Sequence, residues 1–515
     1  MVRRDYEIKF FNYAPGNVVN HSLILIKGFI VCNSNIDGED EPSTDDVNGN
    51  VEDAIPDTIE VSVGEANTSS SKWDVVNLKY KCLVNLSFGK NVLTFRFAET
   101  ITTLVLSYVP RDTLFRVTPV YIICDEDDGR FQSPEGCDNS IESACNRINL
   151  GCKLIQCLVS NKLFEKGFGH KTFQLESDFT HNSTNCLVFY SKLPVCSART
   201  MKPEDLWEYF GREIMTSIHG NQDCKFLAFL SCTIWDGTTV KAHAALGGGG
   251  LALFGSACLH TWPDSFDKII PCFLNSTKIN KSLLMDDSCH RGTYGGCFST
   301  TLGAVCHELG HTFDLGHTKH GLMGRGFDHI DLVFTMKCTK STECCSKNVR
   351  NINKIGSTHH AVVTFIQDIN VSCNINSFQK PKNHTLSQTP ITSLNRNSHA
   401  LQDDQNSDDK TFWSASCATI LAFHKWFNSF DRNLNQEDVI LKFDRTRNAV
   451  ISNQGIKVIE LRKENGDVLH SWQFPENLAK KKLFLVPVQH LNVAETIVVE
   501  DAFGNLLKQR LSSLV

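Results

Sequence analysis

Apolar and polar positions fall into three regimes along this chain. Up to about residue 110, short β-branched or aromatic runs recur at Tyr6 to Asn12, Ser22 to Val31, Thr58 to Val63, Trp73 to Tyr80, Leu83 to Leu86, Val92 to Phe97 and Thr103 to Val109. Turn residues such as Ala14-Pro15-Gly16 and Phe88-Gly89-Lys90-Asn91 separate them. That spacing predicts strands, and together a β-sandwich over 1–110. An acidic stretch from Asn35 to Asp57 reads as a disordered loop within it.

From residue 111 the pattern changes. Strand signals at Val117 to Cys124, Asn185 to Ser191 and Lys225 to Trp235 alternate with helical ones at Ile141 to Phe164 and Asp205 to Ile218. Alternation of that kind predicts a twisted sheet backed by two long helices, an α+β domain over 111–430. Residues 376–411, rich in Asn, Ser, Thr, Gln and Asp, read as a disordered insert or linker, after which a helix through Ala422 to Phe427 is expected. Short strand signals return over 431–515, at Gly455 to Arg462, Val468 to Phe474, Lys482 to Val488 and Glu495 to Glu500. Turns at Asn465-Gly466-Asp467 and Phe503-Gly504-Asn505 join them. The last part is therefore expected to be a small β domain.

Composition narrows the class. At 515 residues the chain exceeds a single core, and two or three domains fit that length. A net charge of -6 points to neither nucleic acid nor an anionic membrane. The stretch from Ala244 to Trp262 is uncharged, but its glycines, including the run Gly247 to Gly250, argue against a membrane span and for buried or cleft-edge backbone. Met1 to Glu7 leads into no apolar signal segment. The 21 cysteines are therefore expected as free thiols in a reducing, cytoplasmic setting. Cys338, Cys344 and Cys345 match no zinc framework, and the sequons at Asn67 and Asn182 bear on structure only in a secreted chain.

One stretch carries chemistry: Cys306-His307-Glu308-Leu309-Gly310-His311-Thr312-Phe313-Asp314-Leu315-Gly316-His317, followed by Met323. Histidines four apart lie one turn above each other on a helix, so His307 and His311 can face one ion, and Glu308 stands beside them. His317 reaches the same ion if the helix ends after His311 and the chain reverses. Three nitrogens and an open fourth position are a catalytic zinc arrangement, whereas structural sites fill that position with a further side chain. Zinc lowers the pKa of a water held there to about 7, and Glu308 is placed to act as general base. Ser299 or Thr300 is the expected cap, with Leu302, Val305 and Leu309 as the buried face. Gly303 and Gly310 each cost such a helix roughly 1 kcal/mol relative to alanine, so close backbone approach is expected at both.

These residues resemble the metzincin metallopeptidase signature, H-E-x-x-H-x-x-G-x-x-H with a methionine turn. The stretches Ala245 to Gly255, Thr261-Trp262-Pro263 and Gly321 to Phe327 are similar to a little-characterised zinc metallopeptidase family of fungi and animals. The resemblance implies a metzincin-like catalytic domain with one catalytic Zn2+ on His307, His311 and His317. It also implies Glu308 as general base, Met323 beneath the metal, and a protein or peptide substrate. Asp314 stands where the signature has glycine, and aspartate is among the few residues that tolerate the positive φ required there.

Leu246 to Phe254 is expected as an edge strand to which an extended substrate pairs, with a flexible glycine loop as the alternative. His320 and Arg325 are expected to line the pocket, and His243, His260, His290 and His329 to lie outside the ligand set. The residues thus predict a zinc endopeptidase flanked by two β modules that bind partners. The other reading is a zinc-binding scaffold without turnover, acting through those modules.

Overall fold

The computed structural model describes residues 5–33, 55–64, 70–179, 186–336, 410–429, 439–474 and 480–511. Outside them lie Cys338, Cys344, Cys345, the sequons at Asn67 and Asn182, and nearly all of the two segments expected to be disordered. The chain divides into two compact units, residues 1–109 with 334–357, and residues 110–333 with 358–515.

In the first unit, eight strands follow from the alternating pattern: β1 (Asp5–Phe10), β2 (Val18–Val19), β3 (Leu23–Asn33), β4 (Thr58–Val63), β5 (Ser70–Val76), β6 (Lys79–Asn85), β7 (Gly89–Phe97) and β8 (Thr100–Tyr108). They hydrogen-bond in the order β1-β3-β6-β5-β4-β7-β8-β2. Ile24, Ile26, Leu93, Phe95, Leu104 and Leu106 share one core, and each such side chain stabilises the fold by roughly 1.5–3 kcal/mol when fully buried. The run from Trp73 to Tyr80, expected as one strand, is split by a turn with positive φ at Asn77 (52°) and Leu78 (58°). Leucine rarely adopts that conformation, so nothing in its identity marks the turn.

The second unit is built on a mixed sheet and the helices covering it. Its elements are β9 (Arg116–Asp125), α1 (Ile141–Glu165), β10 (Gln174–Leu175), β11 (Leu187–Pro194), α2 (Val195–Ala198), α3 (Pro203–Thr216) and β12 (Cys224–Leu230). A small hairpin of β13 (Ile234–Trp235) and β14 (Val240–Lys241) follows. Next come β15 (Ala245–Gly248), β16 (Leu251–Gly255), α4 (Ile269–Leu274), α5 (Tyr294–Thr312) and α6 (Ala415–Phe423). The sheet runs β10-β9-β12-β16-β15, with β11 also on β9. Neighbours are parallel except β15, which lies antiparallel to β16 at the edge.

Period-two alternation sends each strand's side chains to both faces, and both are covered. Val120, Ile122, Phe226, Ala228 and Leu253 meet Leu206, Trp207 and Phe210 of α3. Phe229 and Phe254 on the other face meet each other, and Phe229 meets Trp262, which in turn touches Phe298 of α5. The run expected as one edge strand from Leu246 to Phe254 is a hairpin instead. Gly249, at φ 52°, turns the chain, so only β15 lies at the edge.

The C-terminal residues of this unit form two small sheets. One is β17 (Leu441–Asp444), β18 (Ala449–Ser452) and β21 (Leu483–Leu485). The other comprises β19 (Ile456–Arg462), β20 (Val468–Gln473), β22 (Thr496–Asp501) and β23 (Leu506–Arg510), in the order β20-β19-β22-β23. Ile459, Leu461, Ile497 and Val499 supply the core between them. The opposite face of β19 carries Val458, Glu460 and Arg462, and it too is buried. Here α6 packs on β19. The chain is thus a mixed α/β protein with several sheets.

Glu500 pairs with Val458 across these strands, is fully buried, and has no hydrogen-bond partner for either carboxylate oxygen among the described residues. Burial first, then the nearby Asp314, Asp501 and Glu460, push its carboxyl well above the usual range, with Lys171 opposing. An unfolded glutamate ionises near pH ~4.3. Folding above that pH therefore requires Glu500 to take up or keep a proton, and stability falls as pH rises toward its folded pKa. Glu500→Gln is expected to melt higher than the parent chain by a margin that grows from pH 5 to pH 8 and is near zero at pH 4. Thermal melts across that range check it, and a margin independent of pH would rule it out.

Candidate metal centre

Helix α5 begins at Tyr294, five residues before the expected cap. Thr293 is the N-cap, its side chain accepting the Gly296 N–H. Ser299 sits inside the helix instead, donating to Asp331 Oδ1 (2.8 Å) and accepting the Asp331 N–H (3.0 Å). A Gly295-Gly296 start carries little helix propensity. It is used because a Cβ on Gly295 would lie 2.3 Å from the Phe273 carbonyl oxygen. The interior glycines have the same cause. A Cβ on Gly303 would lie 2.0 Å from the Phe327 oxygen, and one on Gly310 would lie 2.7 Å from Met323 Sδ. Met323 is thereby seated beneath the turn that carries the histidines.

His307, His311 and His317 come together, with one ring nitrogen from each inside a circle where all lie within 4.8 Å of one another. The Nε2 atoms of His307 and His311 approach to 3.2 Å. Two ligands at zinc–nitrogen bonds of about 2.0–2.1 Å in a tetrahedron stand roughly 3.3 Å apart. The outer contacts make the same test. His307 Nδ1 faces the Leu322 oxygen at 2.7 Å, His311 Nδ1 the Leu315 oxygen at 2.9 Å, and His317 Nδ1 the Asn465 oxygen at 3.3 Å. A carbonyl only accepts, so each Nδ1 carries the proton and each Nε2 lone pair is left for a cation. Burial, with His311 close by, holds His307 well below the ordinary imidazole range, and neutral imidazole is the form that ligates. The three residues fit zinc. Among the described residues no other group of three His, Cys, Asp or Glu side chains is so placed.

Glu308 is buried beside them, and burial pushes its carboxyl up to about 8, partly offset by the Gly247 N–H that donates to it. Gly247 belongs to β15, which lies so close to α5 that a Cβ there would fall 1.8 Å from the Glu308 main-chain oxygen. The reversal after the helix puts Asp314 at φ 61°, the left-handed conformation for which the signature uses glycine.

Of the neighbouring residues, Arg325 is exposed but near enough for its charge to act on His307, while His320 is exposed. His260 is buried with Nδ1 3.1 Å from the Ala257 oxygen. His243 lines a small, largely apolar pocket beside α5 with Phe254, Trp262, Asp287 and Ala304. The residues that sequence reasoning missed lie far along the chain. Asn465 and Asp467 flank the His317 ring, and Arg462 reaches the Asp314 carbonyl. The sequence offers one faint signal: Glu460 and Arg462 stand at alternate positions among Val458, Ile459 and Leu461.

A buried HExxH helix and a third histidine returned by a reversal, on a helix-covered mixed sheet, thus bring together three imidazoles that could hold one metal ion. The chain belongs to the Putative peptidase family, whose profile matches residues 7–420. Two relatives bear the name "Putative zinc metalloproteinase". The one from Saccharomyces cerevisiae is 30% identical over 307 residues, covering 52% of this chain and 43% of its own length. The one from Schizosaccharomyces pombe is 25% identical over 310 residues, covering 56% and 50%. The chain thus spans about half the length of the relatives it matches. Among solved structures, catalytically inactive OgpA from Akkermansia muciniphila, in complex with an O-glycopeptide substrate, aligns with TM-score 0.37 and 13% identity. That alignment covers 78% of this chain and 92% of the other. A likeness of that size leaves the fold to be read from this chain's own elements.

Proposed function

We propose that this chain is a zinc-dependent endopeptidase of metzincin type, with His307, His311 and His317 as metal ligands and Glu308 as general base. The observation that carries the reading is the convergence of one ring nitrogen from each of three histidines, each ring with its Nδ1 against a main-chain carbonyl, near the buried Glu308. Zinc held there supplies a Lewis acid and lowers the pKa of water to about 7. Glu308 takes the proton of the attacking water and passes it to the leaving amine. The Gly247 N–H holds the carboxylate in place for both transfers. β15 ends the strand order, and its main-chain groups other than the Gly247 N–H are placed for pairing with an extended peptide, which supports a protein or peptide substrate. We also propose a reducing, cytoplasmic setting, supported by the free thiols of the described cysteines.

The test is a peptide-library digest with the zinc-loaded chain. Cleavage that a chelator abolishes and added zinc restores is the expected result. A chain that holds one zinc and cleaves nothing is a zinc-binding scaffold, and the enzymatic reading falls.

A further inference from the structure

The helix and the first residues of the reversal are held locally, by hydrogen bonds from the Phe313, Asp314 and Leu315 N–H groups back to Gly310 and His311. Beyond them the chain's partners change. The His317 N–H donates to the Gly466 oxygen at 3.0 Å, and the His317 oxygen accepts from the Val468 N–H at 2.8 Å. The third ligand is therefore paired, as a single parallel bridge to Asp467, with the turn joining β19 to β20. Its ring lies against the same turn, with Nδ1 3.3 Å from the Asn465 oxygen and 3.8 Å from Asp467 Oδ1.

Arg462, the last residue of β19, closes the arrangement from below. Its Nη2 donates to the Asp314 oxygen at 2.6 Å, 148 residues away in sequence. Nε and Nη2 both donate to Glu460 Oε2, at 2.8 and 2.6 Å. The guanidinium is 1% exposed and the carboxylate 0%. A Cβ on Gly316 would lie 2.7 Å from both Arg462 Nε and the Gly466 oxygen, so the segment between Asp314 and His317 rests directly on this hairpin.

We propose that the β19–β20 hairpin is a positioning element of the metal centre. Arg462 fixes the reversal at Asp314, and residues 465–468 fix the backbone and ring of His317. The inference rests on the zinc reading above and goes beyond it, because it makes zinc affinity depend on residues outside the signature. Two protein ligands four apart on a helix are set by the helix itself, but the third is set by whatever holds the reversal. A buried ion pair suits that task. Its desolvation is costly unless further hydrogen bonds are made; here Nη2 also donates to the carbonyl of the turn, while Glu460 Oε1 has no hydrogen-bond partner among the described residues. Groups that orient a metal's ligands typically change affinity 10–100-fold when lost.

The test uses the full chain. Replacing Arg462→Met together with Glu460→Gln removes the donor to Asp314 without stranding a buried charge, and Val468→Pro removes the single N–H given to the His317 oxygen while leaving the ion pair intact. Zinc dissociation constants by chelator competition, the visible spectrum of the Co2+ form and melting of the metal-free chain are measured for each. Both variants are expected to bind zinc about 10–100-fold more weakly and to show a changed Co2+ spectrum, while the metal-free melting temperature changes little. Arg462→Lys, which keeps a donor and the charge facing Glu460, is expected to recover most of the affinity. Affinity within twofold of the parent and an unaltered spectrum overturn the proposal, and if the double variant fails to fold, Val468→Pro decides alone. A parent chain that binds no zinc defeats the zinc reading, and this inference with it, whereas a zinc-binding parent with indifferent variants defeats the inference alone.

Discussion

Glu308→Gln is expected to retain one zinc per chain and to lose peptide hydrolysis by on the order of 10²–10⁴-fold, the usual contribution of a positioned general base. The amide has the carboxylate's shape, and its oxygen can still accept the Gly247 N–H, so the geometry around the histidines is kept. What it cannot do is take a proton and hand it on. Stability does not oppose the substitution. Glu308 is fully enclosed, and burial pushes its carboxyl up to about 8, so the metal-free chain near neutral pH already favours an uncharged group there. The metal-free variant is thus expected to melt at or above the parent. Metal analysis, initial rates on a cleaved peptide and a melting curve check the three parts. A rate within twofold of the parent at full zinc occupancy would remove Glu308 from the mechanism.

What could be read in the sequence is what local geometry fixes. Helical spacing alone puts His307 and His311 on one face, and Asp314 is compatible with the positive φ it adopts, because both depend on a few adjacent residues. Helix α1 likewise runs from Ile141 to Glu165, close to the stretch the pattern marked. Propensity misled where contacts across the fold decide. Gly295 at the start of α5 is demanded by the Phe273 backbone, and the Leu78 turn is held by the pairing of β5 with β6. The partners of His317 were the least legible. Asn465-Gly466-Asp467 announces a turn, but which backbone a turn touches is a tertiary fact. A buried Glu460–Arg462 pair looks, in sequence, like the solvated face of a small sheet. Fully buried charges are rare enough that the prior runs the other way.

Gly247→Ala is expected to damage the site more than any other single-methyl change on β15. The added Cβ would fall 1.8 Å from the Glu308 main-chain oxygen and 2.5 Å from its carbon, whereas ordinary contact begins near 3.4 Å. Strand and helix must part by more than 1 Å, an overpacking that typically costs about 1–3 kcal/mol. The Gly247 N–H withdraws with the strand. That donor holds the Glu308 carboxyl down, so its loss raises the pKa of the proposed base, and the acidic limb of kcat/KM is expected to move to higher pH. A displacement of this size next to a reacting group costs on the order of 10²-fold in rate. Gly248→Ala is the control one residue along. Its Cβ would meet only Trp207, at 3.8 Å, and its φ is not in the left-handed region, so it should melt like the parent chain. Melting curves and pH–rate profiles of both variants decide the matter. Equal behaviour would mean that the close approach of β15 to α5 does not hold the base in place.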